Sequence, residues 1–234
     1  MKLAIIPARA GSKRIKNKNI VDFCGRPMIS YALTCAQDSG LFDKIHVSTD
    51  SQEIAELVDR LGFPVDFLRS PDLADDRTHV TPVMQWVIRQ YCQAGTEVES
   101  VCLLFPCSPL IEPSDLQAAH RSFAAQNGRM PVLAVVPFPF PIQRALSERP
   151  DGLLAPHFPE HWAARSQDLT PTFHDTGTFG FFGAKHLLRC GETFGDRFIP
   201  HVLPRHKVID IDEPEDLELA EILFRGVRAR AAVG

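Results

Sequence analysis

Near the start of the chain, Leu3-Ala4-Ile5-Ile6-Pro7-Ala8-Arg9-Ala10-Gly11-Ser12-Lys13 decides how the rest is read. Residues 3–6 form a compact apolar run that reads as a first β-strand. It opens into a loop of small residues and bases, continuing Arg14-Ile15-Lys16-Asn17-Lys18-Asn19. From Lys2 to Asn19 there are six basic residues and no acid. Small residues after a strand leave backbone N–H groups exposed, and such nests ringed by Lys and Arg suit a polyphosphate. The loop lacks the GxxxxGK[ST] spacing of a Walker A motif and the GxGxxG of a dinucleotide loop.

Working outward, short apolar runs alternate with helical patterns. Residues 27–37 carry apolar side chains at 28, 29, 32, 33 and 36, a helical period. Residues 44–48 read as a second strand. Asp50-Ser51-Gln52-Glu53 follows as a capping box with Asp50 as the cap, and Ile54, Leu57, Val58 and Leu61 mark one helix face. Residues 65–68 read as a short third strand, 83–91 as a helix and 101–105 as a central strand. A helix over 113–125 and a fifth strand over 132–136 complete the alternation. This pattern predicts an α/β fold, a mainly parallel Rossmann-like sheet flanked by helices on both faces. Ligands of such sheets bind beyond the carboxyl ends of the strands. The loops after Ile6, Ser48 and Phe105 are therefore the places to look.

Beyond residue 137 the texture changes. Prolines cluster at 137, 139, 141, 150, 156, 159 and 171, and phenylalanine is frequent. Residues 178–183 read as a strand whose glycines permit close approach. This part is expected to be an insertion, about 137–182, that completes a site or an oligomer interface within a single domain spanning 1–234. Helix returns over 213–224, with Leu217, Ala220 and Phe224 on one face, and 225–234 reads as a frayed tail.

Composition bounds the rest. Of 234 residues, 44% are hydrophobic and 23% charged, which excludes a disordered chain. A net charge of −4 and an isoelectric point near 6.1 argue against nucleic acid as partner. No apolar run approaches the ~20 residues of a membrane span. The six cysteines form no CxxC pair, and the nine histidines show no ligand spacing. Reduced, buried thiols are the expectation, and with them a cytoplasmic location.

A second constellation is Lys207-Val208-Ile209-Asp210-Ile211-Asp212-Glu213-Pro214-Glu215-Asp216. Strand geometry would set Asp210 and Asp212 on one face, with Ile209 and Ile211 on the other. Two carboxylates on one face suit Mg²⁺ bridging to phosphates. Asp212 also reads as the N-cap of the last helix, boxed with Glu215, a reading that leaves Asp210 unexplained. Asp75, Asp76 and Thr78 form a polar loop after Arg69. Phe105-Pro106-Cys107-Ser108-Pro109 ends the central strand, where a base or ribose would pack. Cys107 has no partner to activate it as a nucleophile.

The opening loop, through Lys18-Asn19-Ile20, resembles the signature of the acylneuraminate cytidylyltransferases. Val47-Ser48-Thr49-Asp50, Leu68-Arg69-Ser70-Pro71, Pro106-Cys107-Ser108-Pro109-Leu110 and Ile209-Asp210-Ile211-Asp212 resemble later blocks of that family, in order along nearly the whole chain. Pro139-Phe140-Pro141-Ile142-Gln143-Arg144-Ala145-Leu146 and Phe173-His174-Asp175-Thr176-Gly177 are similar to its pseudaminic acid branch. The resemblance implies that CTP and a nine-carbon acidic sugar give a CMP-sugar and pyrophosphate. It implies Mg²⁺ as cofactor and a homodimer formed through the inserted segment. Carried over by position, it implies Arg9, Lys13 and Lys18 in catalysis, and Ala8, Gly11, Ser12, Asn19, Arg69 and Pro106 beside the nucleotide. Asp210 and Asp212 would hold the metal. Phe105, Gln143, Arg144, Arg165, Gln167, His174 and Asp175 would face the sugar.

The chain departs from that pattern at Ala10, where many members carry glycine, and at Cys107, where threonine is usual. Phe105 stands where enzymes for sialic acid carry glutamine, which favours a more deoxygenated sugar. Sialic, legionaminic and 3-deoxy-octulosonic acids are the alternative substrates. A non-catalytic nucleotide-binding module is the alternative of another class.

Overall fold

The computed structural model describes residues 1–75 and 77–231. Its centre is a six-stranded sheet in the order β10-β6-β9-β5-β1-β4. These strands are β1 (Lys2–Pro7), β4 (Lys44–Ser48), β5 (Ser100–Leu104), β6 (Val132–Pro137), β9 (Phe173–Gly183) and β10 (Ile199–Val202). β1 pairs in parallel with β4 and β5, and β10 with β6, whereas β9 runs antiparallel to both β5 and β6. Two small hairpins stand outside it, β2 (Asp22–Phe23) with β3 (Arg26–Pro27) and β7 (Leu146–Glu148) with β8 (Leu154–Pro156). The helices are α1 (Ile29–Ser39), α2 (Gln52–Arg60), α3 (Val80–Gln93), α4 (Pro113–Ala125), α5 (Ala184–Leu187) and α6 (Pro214–Ala231).

Period-two alternation of apolar residues supplies both faces of the sheet. Ala4, Ile6, Cys102 and Leu104 pack with α1, α2 and α4, while Leu3, Ile5, Val101 and Leu103 pack with α3 and α5. Each fully buried Leu or Ile contributes about 1.5–3 kcal/mol. A third cluster joins Ile15 of the basic loop to Phe23, Tyr31, Ile211, Ala220 and Phe224. Phe23, Tyr31 and Phe224 meet edge-to-face with centroids 5.1–5.4 Å apart. This cluster seats α6 against the opening loop. Helix therefore continues to Ala231, and the tail expected from residue 225 is ordered helix as far as that residue, with 232–234 outside the described residues.

Because β4 and β5 lie on opposite sides of β1, the chain reverses its winding there, and a crevice opens at the carboxyl ends of these strands. The close approach expected of the β9 glycines is real. A Cβ at Gly180 would meet the Phe182 ring at 2.9 Å, and one at Gly183 the Gly128 carbonyl at 2.8 Å. β9 begins at Phe173 and belongs to the central sheet, so the segment outside the sheet is 138–172.

Three local readings change. Residues 65–68 form no strand; they lie along β4 through side chains, with Lys44 donating to Asp66 at 2.7 Å and Phe67 packed on His46 at 4.5 Å. Ser51, not Asp50, caps α2 by accepting from the Ile54 N–H at 3.3 Å. Residues 208–212 are an extended loop rather than a strand, since no neighbour offers them a ladder.

Candidate active site

The crevice holds a cavity of about 450 Å³. It brings together Arg9, Ser12, Lys13, Lys18, Asn19 and Arg69 with Phe105, Pro106, Asp210 and Asp212, all anticipated from sequence. Five basic side chains, including Arg14, face two carboxylates, although the whole chain carries −4. A concave, basic surface of this kind concentrates anions against the sign of the net charge.

The basic loop is held from several sides. Asn19 donates from Nδ2 to the Arg9 carbonyl at 2.9 Å, and the Ala10 N–H donates to Asp50 at 3.2 Å. The Asp50 carboxylate thus braces the loop instead of capping a helix. Arg9 Nη1 donates to the Asp75 carbonyl at 3.0 Å. The Asp75 carboxylate folds that segment by accepting from the N–H groups of Arg77 and Thr78. Thr78 lines the cavity; Asp76 lies outside the described residues. Arg69 is only 5% exposed and donates to the Ser48 hydroxyl at 3.1 Å and to the Ser48 carbonyl. Burial pulls its guanidinium down to about 10, so it remains charged at neutral pH. Its backbone N–H donates to the Thr49 carbonyl at 2.7 Å.

The two carboxylates differ. Asp212 is held at both oxygens, by Arg14 at 2.8 Å and Lys18 at 3.2 Å. Burial acts to raise this carboxyl, but Lys18 and Arg14 outweigh it and hold the group below its ordinary range. Lys18 also donates to the Ile211 carbonyl at 2.6 Å. Asp212 is no cap: the Asp216 carboxylate accepts from the N–H groups of Asp212 and Glu213, at 3.0 and 2.7 Å. Asp210 opens onto the cavity and makes no hydrogen bond to a described residue. Partial burial, and then repulsion by Asp212, push its carboxyl upward. Among the described residues no group of three or more His, Cys, Asp or Glu stands ready to hold a metal alone.

The remaining expected residues lie elsewhere. Ala8 is fully buried, with its N–H donating to the Ser48 carbonyl at 2.9 Å, and Gly11 is exposed off the cavity lining. None of the polar residues expected at the sugar lines the cavity. Gln143 donates to the Thr170 carbonyl at 3.2 Å, and Arg144 donates to the carbonyls of Trp162 and Ala164. Both tie the 138–172 segment to itself. Arg165 precedes, and Gln167 lies within, a short turn at Ser166–Asp168. His174 packs on Phe138 at 4.8 Å, and Asp175 accepts from the Gly177 N–H at 3.0 Å. Sequence reasoning missed Arg14, Val80, Val83 and Gly177 on the cavity wall. Arg14 had a signal in the basic run; the others depend on where α3 and β9 end. The Cys107 thiol donates to the Asn19 side-chain amide oxygen at 3.6 Å, and burial pushes it up to about 11, which disfavours the thiolate a nucleophile needs.

The described residues include no helix long and apolar enough to cross a membrane. Residues 3–138 match the cytidylyltransferase family model. The pseudaminic acid cytidylyltransferase of Campylobacter jejuni is 39% identical over 95% of this chain and 96% of its own length. A CMP-N,N'-diacetyllegionaminic acid synthase of Legionella pneumophila is 32% identical over 95% of each chain. In fold, the structure of CMP:2-keto-3-deoxy-manno-octonic acid synthetase complexed with CTP matches with a TM-score of 0.71 at 16% identity, covering 96% of this chain and 98% of that one. With the basic loop, the buried Arg69 and the paired carboxylates placed at one crevice, the chain belongs to the cytidylyltransferases, and it is a nucleotidyltransferase enzyme.

Proposed function

We propose that this enzyme joins CTP to pseudaminic acid, forming CMP-pseudaminic acid and releasing pyrophosphate. The observation that carries the reading is the 39% identity over nearly the full length of both chains with a relative of that name. The cavity agrees with it. Phe105, Val80 and Val83 add apolar surface to a cavity otherwise lined by the basic loop and the two carboxylates. Apolar surface favours a deoxygenated sugar over one whose extra hydroxyls need hydrogen-bond partners.

The sugar's anomeric hydroxyl attacks the α-phosphorus in line, and pyrophosphate leaves. Arg9, Lys13 and Lys18 stabilise charge on the phosphate oxygens, the main source of catalysis in phosphoryl transfer. Arg69 and Asn19 place the nucleotide against Pro106. Asp210 and Asp212 are hard oxygen donors that would hold Mg²⁺, though too few to enclose an ion by themselves. When bound, Mg²⁺ supplies charge neutralisation and a lower pKa for the attacking hydroxyl. The family resemblance puts Gln143, Arg144, Arg165, Gln167, His174 and Asp175 on the sugar side, although none of them lines this cavity. The exposed apolar side chains of the 138–172 segment, Phe140 at 78% and Leu154 at 65%, support a homodimer through that segment. Six unpaired cysteines support a reducing, cytoplasmic setting.

The test is pyrophosphate release from CTP and Mg²⁺ with pseudaminic acid and sialic acid in parallel. Release with pseudaminic acid alone is expected. Release with sialic acid alone overturns the sugar assignment. CTP binding without release from any acidic sugar overturns the catalytic reading.

A further inference from the structure

Asp210 makes no hydrogen bond to a described residue, and Lys18 and Arg14 act on it only through space. The loop that carries it is pinned on either side instead. Downstream, Ile211 is buried in the cluster with Leu110 and Phe224. Upstream, Lys207 ends a single 3₁₀ turn, Arg205–Lys207, and its ammonium meets two carboxylates at the start of α4, Glu112 at the N-cap and Asp115 in the first turn. It donates to Glu112 at 2.6 Å and to both oxygens of Asp115 at 2.8 and 3.0 Å. Lys207 and Asp115 are each only 12% exposed at the side chain. Asp115 also accepts from the Glu112 N–H at 2.9 Å, closing the capping box of α4. The chain entering α4 is the segment bearing Phe105, Pro106 and Cys107. Lys207 thus ties the loop that carries the carboxylates to the chain that brings Phe105, Pro106 and Cys107 to the cavity.

We propose that Lys207 is a positioning residue: its ion pair with Asp115 and Glu112 sets where the Asp210 carboxylate stands in the cavity. The proposal rests on the reading that Asp210 faces the metal. Between the two pins, residues 208–210 have one backbone bond, from the Val208 N–H to the Arg205 carbonyl at 3.1 Å. Val208 and Ile209 also pack, partly buried, on the core clusters, so losing the polar pin would loosen the loop without opening the core. Groups that orient a metal ligand in this way are worth about 10- to 100-fold in metal affinity.

The experiment measures Mn²⁺ binding by the loss of its free electron paramagnetic resonance signal, with CTP present and no sugar. Lys207→Met should weaken Mn²⁺ by about tenfold or more while CTP affinity without metal stays within about twofold of wild type, as expected for an effect confined to the metal. Lys207→Arg should restore most of the loss. Lys44→Met, which breaks the ion pair with Asp66 at 2.7 Å away from the cavity, controls for general loss of stability. Should Lys207→Met fail to fold, Glu112→Gln removes only the exposed partner and should show a smaller loss of the same kind. Unchanged Mn²⁺ affinity in Lys207→Met, or an equal loss in Lys44→Met, overturns the proposal. Asp210→Asn separates the two ways to fail. If it retains Mn²⁺, the metal reading is wrong and the proposal falls with it. If it loses Mn²⁺ while Lys207→Met does not, only the positioning role is wrong.

Discussion

Replacing Asp210 by Asn keeps the shape of the side chain and removes its charge. The structure predicts opposite signs for stability and for turnover. Asp210 has no hydrogen bond among the described residues to lose. Burial and then Asp212 raise its carboxyl above the ordinary value, so the fold disfavours the ionised form relative to the unfolded chain. Between the ordinary and the raised value the unfolded state binds fewer protons, and above both ionised Asp210 is a full cost to the native state. The amide relieves it. Stability measured by urea unfolding without metal should therefore stay within about 0.5 kcal/mol of wild type or rise. Turnover measured as pyrophosphate release should fall by about 10²–10³, equivalent to about 2.7–4 kcal/mol of lost transition-state stabilisation. The Mg²⁺ dependence should shift to higher concentration. A destabilisation above about 1 kcal/mol, beyond the range of surface changes, would refute the view that Asp210 carries no structural contact. An unaltered Mg²⁺ titration would refute its place at the metal.

Asp212→Asn should behave differently, losing up to about 1 kcal/mol of salt-sensitive stability with its two partly exposed ion pairs; equal unfolding midpoints in low and high salt would contradict this. Arg69→Lys should cost about 1.5–3 kcal/mol, one charge-assisted bond that a single ammonium cannot replace, and weaken CTP binding in a calorimetric titration; full retention of both would deny Arg69 its bracing role. His46 is fully buried, and burial lowers it from 6.5 to about 4. Its contribution is complete above the unfolded value and is lost as pH falls through that window, about 3 kcal/mol in all at about 1.4 kcal/mol per unit. His46→Leu should flatten the slope of stability between pH 6.5 and 4, and parallel slopes would exclude His46 as its source.

Much of this was legible because strands and phosphate loops are written locally. The apolar run before Pro7 and the bases from Arg9 to Lys18 needed no tertiary context. Residues 113–125 announced their own helix, and Pro113–Ala125 is the helix found. What escaped depended on partners remote in sequence. Residues 65–68 have strand composition, yet β4 is the sheet edge there, and Phe67 is absorbed by His46, Trp86 and Tyr91 instead of by a ladder. The end of α6 read as fraying because its anchor, Phe224, packs on rings two hundred residues earlier. Val80, Val83 and Gly177 carry no chemical signal at all; only the convergence of α3 and β9 on one crevice makes them part of a site.

Asp210 and Asp212 show the same limit at the level of chemistry. In sequence they are equivalent, two carboxylates one residue apart. The fold separates them by what faces each one. The loop from Arg9 to Lys18 brings concentrated positive charge into a cavity that must also exist without nucleotide, and unscreened like charges at such distances repel. Asp212 answers that charge through Arg14 and Lys18, and Asp216 fixes its backbone. Asp210 is surplus to this balance, raised in pKa and without a bond among the described residues, an arrangement that costs stability and is typical of functional sites. The basic loop and the carboxylate loop are therefore one electrostatic unit. On the function proposed above, a triphosphate entering it would draw Arg14 and Lys18 partly away from Asp212, and the carboxylate so released would pull more strongly on a divalent ion. Nucleotide and metal binding should thus each favour the other, by a coupling that arises from the same two cations.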